Sequence, residues 1–155
     1  MEKEKDPRAE ALVLNQLLEG DDKDLVQLED EEEHRYSIGH EEYLVLTEEE
    51  ADAKAREEIE RSLWAFNPDF ILRHNKNCEE MDNWEYDAAI DALKEAQGKS
   101  CENLNGLVKS LISDLDEFVE DAIMEDGRGH FIAFYDGREE IQEVDGTDYY
   151  IYQMN

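Results

Sequence analysis

The sequence predicts an α+β fold, mostly helical, with a small antiparallel sheet. Three observations predict it. Apolar residues recur at helical spacing over residues 51–66, 84–96 and 104–123. Thr47-Glu-Glu-Glu50 forms a capping box that opens the first of these stretches. Near the C-terminus, Ile141–Val144 and Tyr149–Tyr152 flank the turn dipeptide Asp145-Gly146, which is the pattern of a β-hairpin.

The elements follow in order. Asp6-Pro7 supplies an N-cap and a proline at the first helical position, Leu12, Leu14, Leu17 and Leu18 follow, and Gly20 closes the segment. Residues 21–33 are charged apart from Leu25, Val26 and Leu28, and read as a helical turn leading into an exposed connector. Tyr36–Ile38 and Tyr43–Leu46 form two short strands about Gly39-His40. The Thr47 helix carries Ala51, Ala55, Ile59, Leu63 and Phe66, and Asn67-Pro68 restarts a short helix through Phe70, Ile71 and Leu72. Over residues 83–97 the apolar positions are Trp84, Ala88, Ala89, Leu93 and Ala96, and Gly98 ends that helix. The strongest stripe runs from Ser100 to Glu125 through Leu104, Leu107, Val108, Leu111, Leu115, Phe118, Val119, Ala122 and Ile123, and predicts one long central core helix.

Asp126-Gly127 and Asp136-Gly137 mark turns before the hairpin. A lone hairpin is marginal in water, so the strand at residues 43–46 is expected to join it. In that hairpin the tyrosine-rich strand should bury alternate residues and leave one or two tyrosines outward. The expected division is an acidic N-terminal helical segment, 1–35, and a single α+β domain, 36–155.

Charge separates this chain from most small domains. Its 155 residues include 44 acids and 15 Lys or Arg, a net charge of −29. Residues 1–60 hold 22 acids and 7 bases, and residues 61–155 hold 22 and 8, so the excess is not a tail. A surface this negative repels phosphate backbones and excludes direct nucleic-acid binding; it attracts cations and basic protein surfaces. Hydrophobic residues at 40% set it apart from disordered acidic chains. The 27 Glu against 17 Asp and eight retained Lys argue against salt adaptation. No apolar run reaches the ~18 residues of a membrane span. Cys78 and Cys101 have no metal-type spacing, and the charged N-terminus lacks a signal-peptide core. The expected location is the cytoplasm, without a cofactor or membrane partner.

The magnitude of the charge suggests a use. A domain of this length is on the order of 40 Å across. Its 29 excess charges match roughly 50 Å of DNA duplex, at one charge per about 1.7 Å. Asp114, Glu117, Asp121 and Glu125 lie on one face of the long helix, spaced about 5–6 Å apart along its axis. Glu48, Asp52, Glu57 and Glu60, with Glu58, form a second acidic surface on the Thr47 helix. Like charges one turn apart cost roughly 0.2–0.5 kcal/mol per pair, so such rows are not selected for stability alone. These eight carboxylates are the candidate partner-binding residues, standing in for phosphates.

Enzyme signatures are weak. His34, His40, His74 and His130 form no HExxH, and a small metal-dependent hydrolase using carboxylates with His40 or His130 is the least favoured reading. An EF-hand loop beginning at Asp126 fails at its third position, Arg128, so turn chemistry accounts for the Asp-Gly pairs. There is no Gly-rich phosphate loop and no GxSxG. Trp64, Phe66 and Phe70 have the spacing of core residues rather than of an exposed docking patch. No catalytic and no metal-ligating residues are assigned.

Two segments carry a resemblance. Tyr43–Asp52 (YLVLTEEEAD) with Ser62–Asn67 (SLWAFN), and Phe118–Phe131 (FVEDAIMEDGRGHF) with Tyr135-Asp-Gly and the terminal Tyr149-Tyr-Ile-Tyr, resemble small phage-encoded proteins without an assigned role. The resemblance covers about half the chain and implies a bacteriophage or prophage setting. The composition is similar to that of acidic DNA mimics that block restriction enzymes or CRISPR effectors. The expected function is a non-enzymatic counter-defence inhibitor, anti-CRISPR or anti-restriction, acting in the host cytoplasm on a basic nucleic-acid-binding protein such as a nuclease, CRISPR effector or restriction enzyme. The alternative is an acidic adaptor that redirects a host polymerase or nuclease without filling its groove. Homodimerisation through an aromatic patch would extend the mimic along a duplex.

Overall fold

The computed structural model describes residues 6–16, 34–155 and, for the backbone, 25–27. It is an α+β protein. Helix α1 (Pro7–Asn15) is followed by strands β1 (Leu25–Gln27), β2 (Arg35–Ile38) and β3 (Glu41–Leu46). Helices α2 (Glu48–Arg61), α3 (Pro68–Arg73), α4 (Asn83–Ser100), α5 (Asn105–Leu111), α6 (Leu115–Asp126) and α7 (Arg128–Ile132) come next. Strands β4 (Glu140–Val144) and β5 (Thr147–Gln153) end the chain.

The chain divides into two compact units, Met1–Ala55 with Asp126–Asn155, and Arg56–Glu125. That division differs from a boundary at residue 35. In the first unit the five strands pair antiparallel in the order β1-β2-β3-β5-β4. The expected hairpin and the strand at 43–46 sit side by side, with Val45 opposite Ile151. The hairpin closes on Asp145 (φ 51°) and Gly146 (φ 83°), and two consecutive positive φ values are what a two-residue type I′ turn requires. Tyr36, Tyr43, Val45, Val144, Tyr149 and Ile151 pack with Ala11 and Leu12 of α1 in one buried cluster.

Two strand-level expectations are corrected by the structure. Residues 25–27 form strand β1, where a helical turn was expected; Val26 lies opposite Ser37, and the partner strand overrides the charged local pattern. Gly20 and the rest of 21–33 lie outside the described residues. Tyr149, Tyr150, Ile151 and Tyr152 are all buried, so none of these tyrosines faces outward. β5 lies between β3 and β4 and is covered on both faces, and a strand covered on both faces does not alternate in burial.

The capping signals hold in both units. The Thr47 amide donates to Glu50 Oε1 at 2.8 Å and the Glu50 amide to Thr47 Oγ1 at 3.4 Å, so the capping box starts α2 at the end of the first unit. Asn67 caps α3 by accepting from the Asp69 amide at 2.9 Å. Phe66, Phe70, Phe118 and His74 form an aromatic cluster with ring centroids 4.9–5.6 Å apart. Core is thus the place of Phe70, as its spacing indicates, and Trp64 and Phe66 are half-buried.

The long central helix is the main correction. Residues 100–125 are a 3-10 turn (Cys101–Leu104), then α5, then α6, broken at residues 112–114. Ile112 is extended (ψ 118°) and buried, the Ser113 amide donates to the His74 carbonyl at 2.9 Å, and Asp114 caps α6. Leu107 is 53% exposed, so the stripe that implied one helix is two shorter apolar faces. α4 also runs past Gly98 to Ser100.

Candidate acidic interface

The sequence places four carboxylates along the α6 region, and the structure divides them by what they touch. Asp114 is not a free charge: its Oδ1 accepts from the Glu117 amide at 3.2 Å, the bond of an N-cap. Asp121 Oδ2 lies 3.2 Å from His74 Nε2, and His74 is itself held edge-on against Phe118. Glu117 and Glu125 project into solvent, and among the described residues no cation pairs with either. Glu120, on the same helix, is likewise exposed and was not singled out from sequence. The neighbouring Asp116 is held by Arg56 at 2.5 Å.

Glu57 and Glu60 lie in the last turns of α2. Glu57 meets Arg61 at 2.5 Å, an i,i+4 pair, and Glu60 lies 3.8 Å from Arg56 and 3.9 Å from Lys109. Both are partly neutralised. Exposed pairs of this kind contribute about 0–1 kcal/mol each, so they lower the local charge without locking the surface.

In the first unit, Glu48 and Asp52 serve one buried cation. Arg128 has a side chain only 10% exposed, lies 2.9 Å from Asp52, 2.8 Å from Glu139 and 3.9 Å from Glu48, and stacks over the Tyr150 ring at 4.5 Å. Burial opposes its charge, but the bonds to Glu139 and Asp52 outweigh it and raise its pKa further. Burial together with the hydrogen bond to Glu139 pushes the Tyr152 hydroxyl up in the same network. Glu48 and Asp52 thus face Arg128 and solvent at once, with side chains 69% and 62% exposed, and Glu139 is the third carboxylate on the same guanidinium. The pairing of Arg128 with Asp52 is invisible in sequence because 76 residues separate the partners.

Sequence reasoning missed a more open acidic surface. From Asn77 to Leu93 there are six acids and no Lys or Arg. Trp84, expected among the apolar positions of its helix, is 71% exposed, and Ala88 is exposed with it. Only Leu93 of α4 is buried; the inner face is fixed by Tyr86, whose hydroxyl donates to Asp69 Oδ1 at 2.6 Å, and by Gln97, which donates to the Trp64 and Phe66 carbonyls at 2.8 and 2.7 Å. Burial first, then that bond to Asp69, raises the Tyr86 pKa to about 12. The signal was the base-free run itself, with its single tryptophan.

The four histidines do not gather. His40 is exposed and engaged through its carbonyl by Asn155, while His130 packs on Phe131 at 4.9 Å. Among the described residues no group of three or more His, Cys, Asp or Glu comes together as a metal site. No helix of the described residues is long and apolar enough to cross a membrane. No family model, curated protein or solved structure matches the chain.

Proposed function

We propose that this protein is a phage counter-defence inhibitor that mimics nucleic acid. It presents a field of carboxylates to the cationic groove of a host nuclease, CRISPR effector or restriction enzyme and displaces the substrate. One observation carries the reading: the chain has 44 acids against 15 Lys or Arg, and eight of those bases already sit in ion pairs. Arg8, Arg35, Arg56, Arg61, Arg73, Lys99, Lys109 and Arg128 all sit in ion pairs, and the chain's other seven bases are too few for the remaining carboxylates, most of which are left for solvent cations or an outside partner to neutralise. The second unit alone holds 18 acids against seven bases.

The contact surface of this reading runs over exposed carboxylates of α6 and α4. Glu117, Glu120 and Glu125 on α6 and the base-free run at 77–93 supply open carboxylates, while Asp52 pairs with Arg128 and Asp114 caps α6. The test is inhibition of a restriction endonuclease and a CRISPR nuclease by the whole chain, in competition with duplex substrate, at low and high salt. Inhibition should weaken as duplex or salt rises, because the attraction is screened. Reversal of Glu117, Glu120 and Glu125 to Lys should weaken it more than tenfold, while any one reversal changes it little. A ternary complex in which the enzyme keeps its duplex would replace this reading with the adaptor.

A further inference from the structure

We propose that the outer face of α4, centred on Trp84, docks an arginine-bearing segment of a basic partner protein. This rests on the preceding reading only for the sign of the partner's charge.

Phosphate mimicry has no use for an indole. A large apolar ring left 71% exposed on a helix whose inner face is pinned by Leu93, Tyr86 and Gln97 is not a packing residue. Helical geometry puts Asp87, Ala88 and Asp91, at i+3, i+4 and i+7, beside and beyond it on the same face. Met81, 38% exposed, lies three residues earlier in extended backbone just ahead of the helix. Ala88 is small, so the indole face stays open to approach. Among the described residues neither Asp87 nor Asp91 has a cationic partner, and Asp82 occupies the N-cap position without its side chain making the capping bond.

Charge decides the occupant. A second copy would bring the same six acids against themselves, and an uncharged segment would leave those carboxylates desolvated and unpaired. A guanidinium satisfies both halves of the surface. It stacks flat on the electron-rich indole while donating in its plane to a carboxylate, which an ammonium cannot do. Tryptophan is also a frequent anchor of protein interfaces.

The experiment titrates the full chain with octa-arginine and with octa-lysine in low salt, following affinity and the two indole N–H resonances by NMR. Octa-arginine should move the Trp84 resonance and leave that of Trp64 in place. Trp84→Ala should weaken octa-arginine binding about tenfold and octa-lysine binding less, with Trp84→Phe in between. If octa-arginine leaves the Trp84 resonance unmoved, or Trp84→Ala binds it within twofold of the wild type, the proposal is overturned. It is also overturned if the chain is a dimer that Trp84→Ala dissociates, since the face then belongs to a second copy. Failure of the mimicry reading looks different: a cationic enzyme is bound, yet keeps its duplex.

Discussion

Glu50 is an acid whose value lies in being paired. It accepts two bonds from Arg8, at 2.6 and 2.9 Å, one from the Thr47 amide at 2.8 Å, and lies 2.9 Å from His34 Nε2. Burial disfavours its charge, but Arg8 and Thr47 outweigh that and hold its carboxyl at about 2 against an ordinary 4.5. A depressed folded pKa adds stability that is complete above the unfolded value and is lost as pH falls from about 4.5 towards 2. Glu50→Gln should cost about 1–2 kcal/mol at pH 6, allowing for partial solvent screening. Urea denaturation at several pH values should show the two proteins converging near pH 2; a gap that persists there would contradict the assignment. Asp114 works through geometry instead. Replacing this N-cap with Ala should cost about 1 kcal/mol, and Asp114→Ser should recover most of it, which thermal unfolding would resolve.

At the level of elements, a tight approach and a local break dominate. Gly129 in α7 has no room for a side chain: a Cβ there would meet the Gly137 carbonyl oxygen at 2.6 Å and the Arg138 backbone at 2.8 Å. Since those atoms are backbone, Gly129→Ala should destabilise by about 1–3 kcal/mol in thermal unfolding. An exposed control, Gly98→Ala on α4, meets nothing within 4 Å and should stabilise slightly. These elements also show what could be read in advance. Thr47-x-x-Glu50, Asn67-Pro68 and Asp145-Gly146 are local chemistry, and each forms as the residues dictate. The split of residues 100–125 was hidden because a long-range bond, from Ser113 to the His74 carbonyl, fixes the break. The carboxylate rows were legible as charge. Their partners were not, since Arg128 finds Asp52 and Arg56 finds Asp116 only through the fold.

For the whole molecule, repulsion is the governing term. With 44 acids and 15 bases, at most 15 of the acids can pair one to one with Lys or Arg, and the rest repel each other across the surface. Salt weakens both the pairs and the repulsion, and the two effects oppose each other. Most pairs here are exposed and each contributes less than about 1 kcal/mol, whereas the repulsion acts among all the unpaired carboxylates over a screening length of tens of ångströms in dilute buffer. Repulsion therefore wins. Raising NaCl from about 10 mM to 500 mM should stabilise the fold by about 2 kcal/mol, roughly 5 °C in Tm for a chain of this size. The same change should weaken any complex with a basic partner. Opposite signs for folding and binding are the signature of a surface whose charge is kept for a partner at the fold's expense. A Tm that falls with NaCl would mean that the ion pairs dominate, and that the acids are there to hold the protein together.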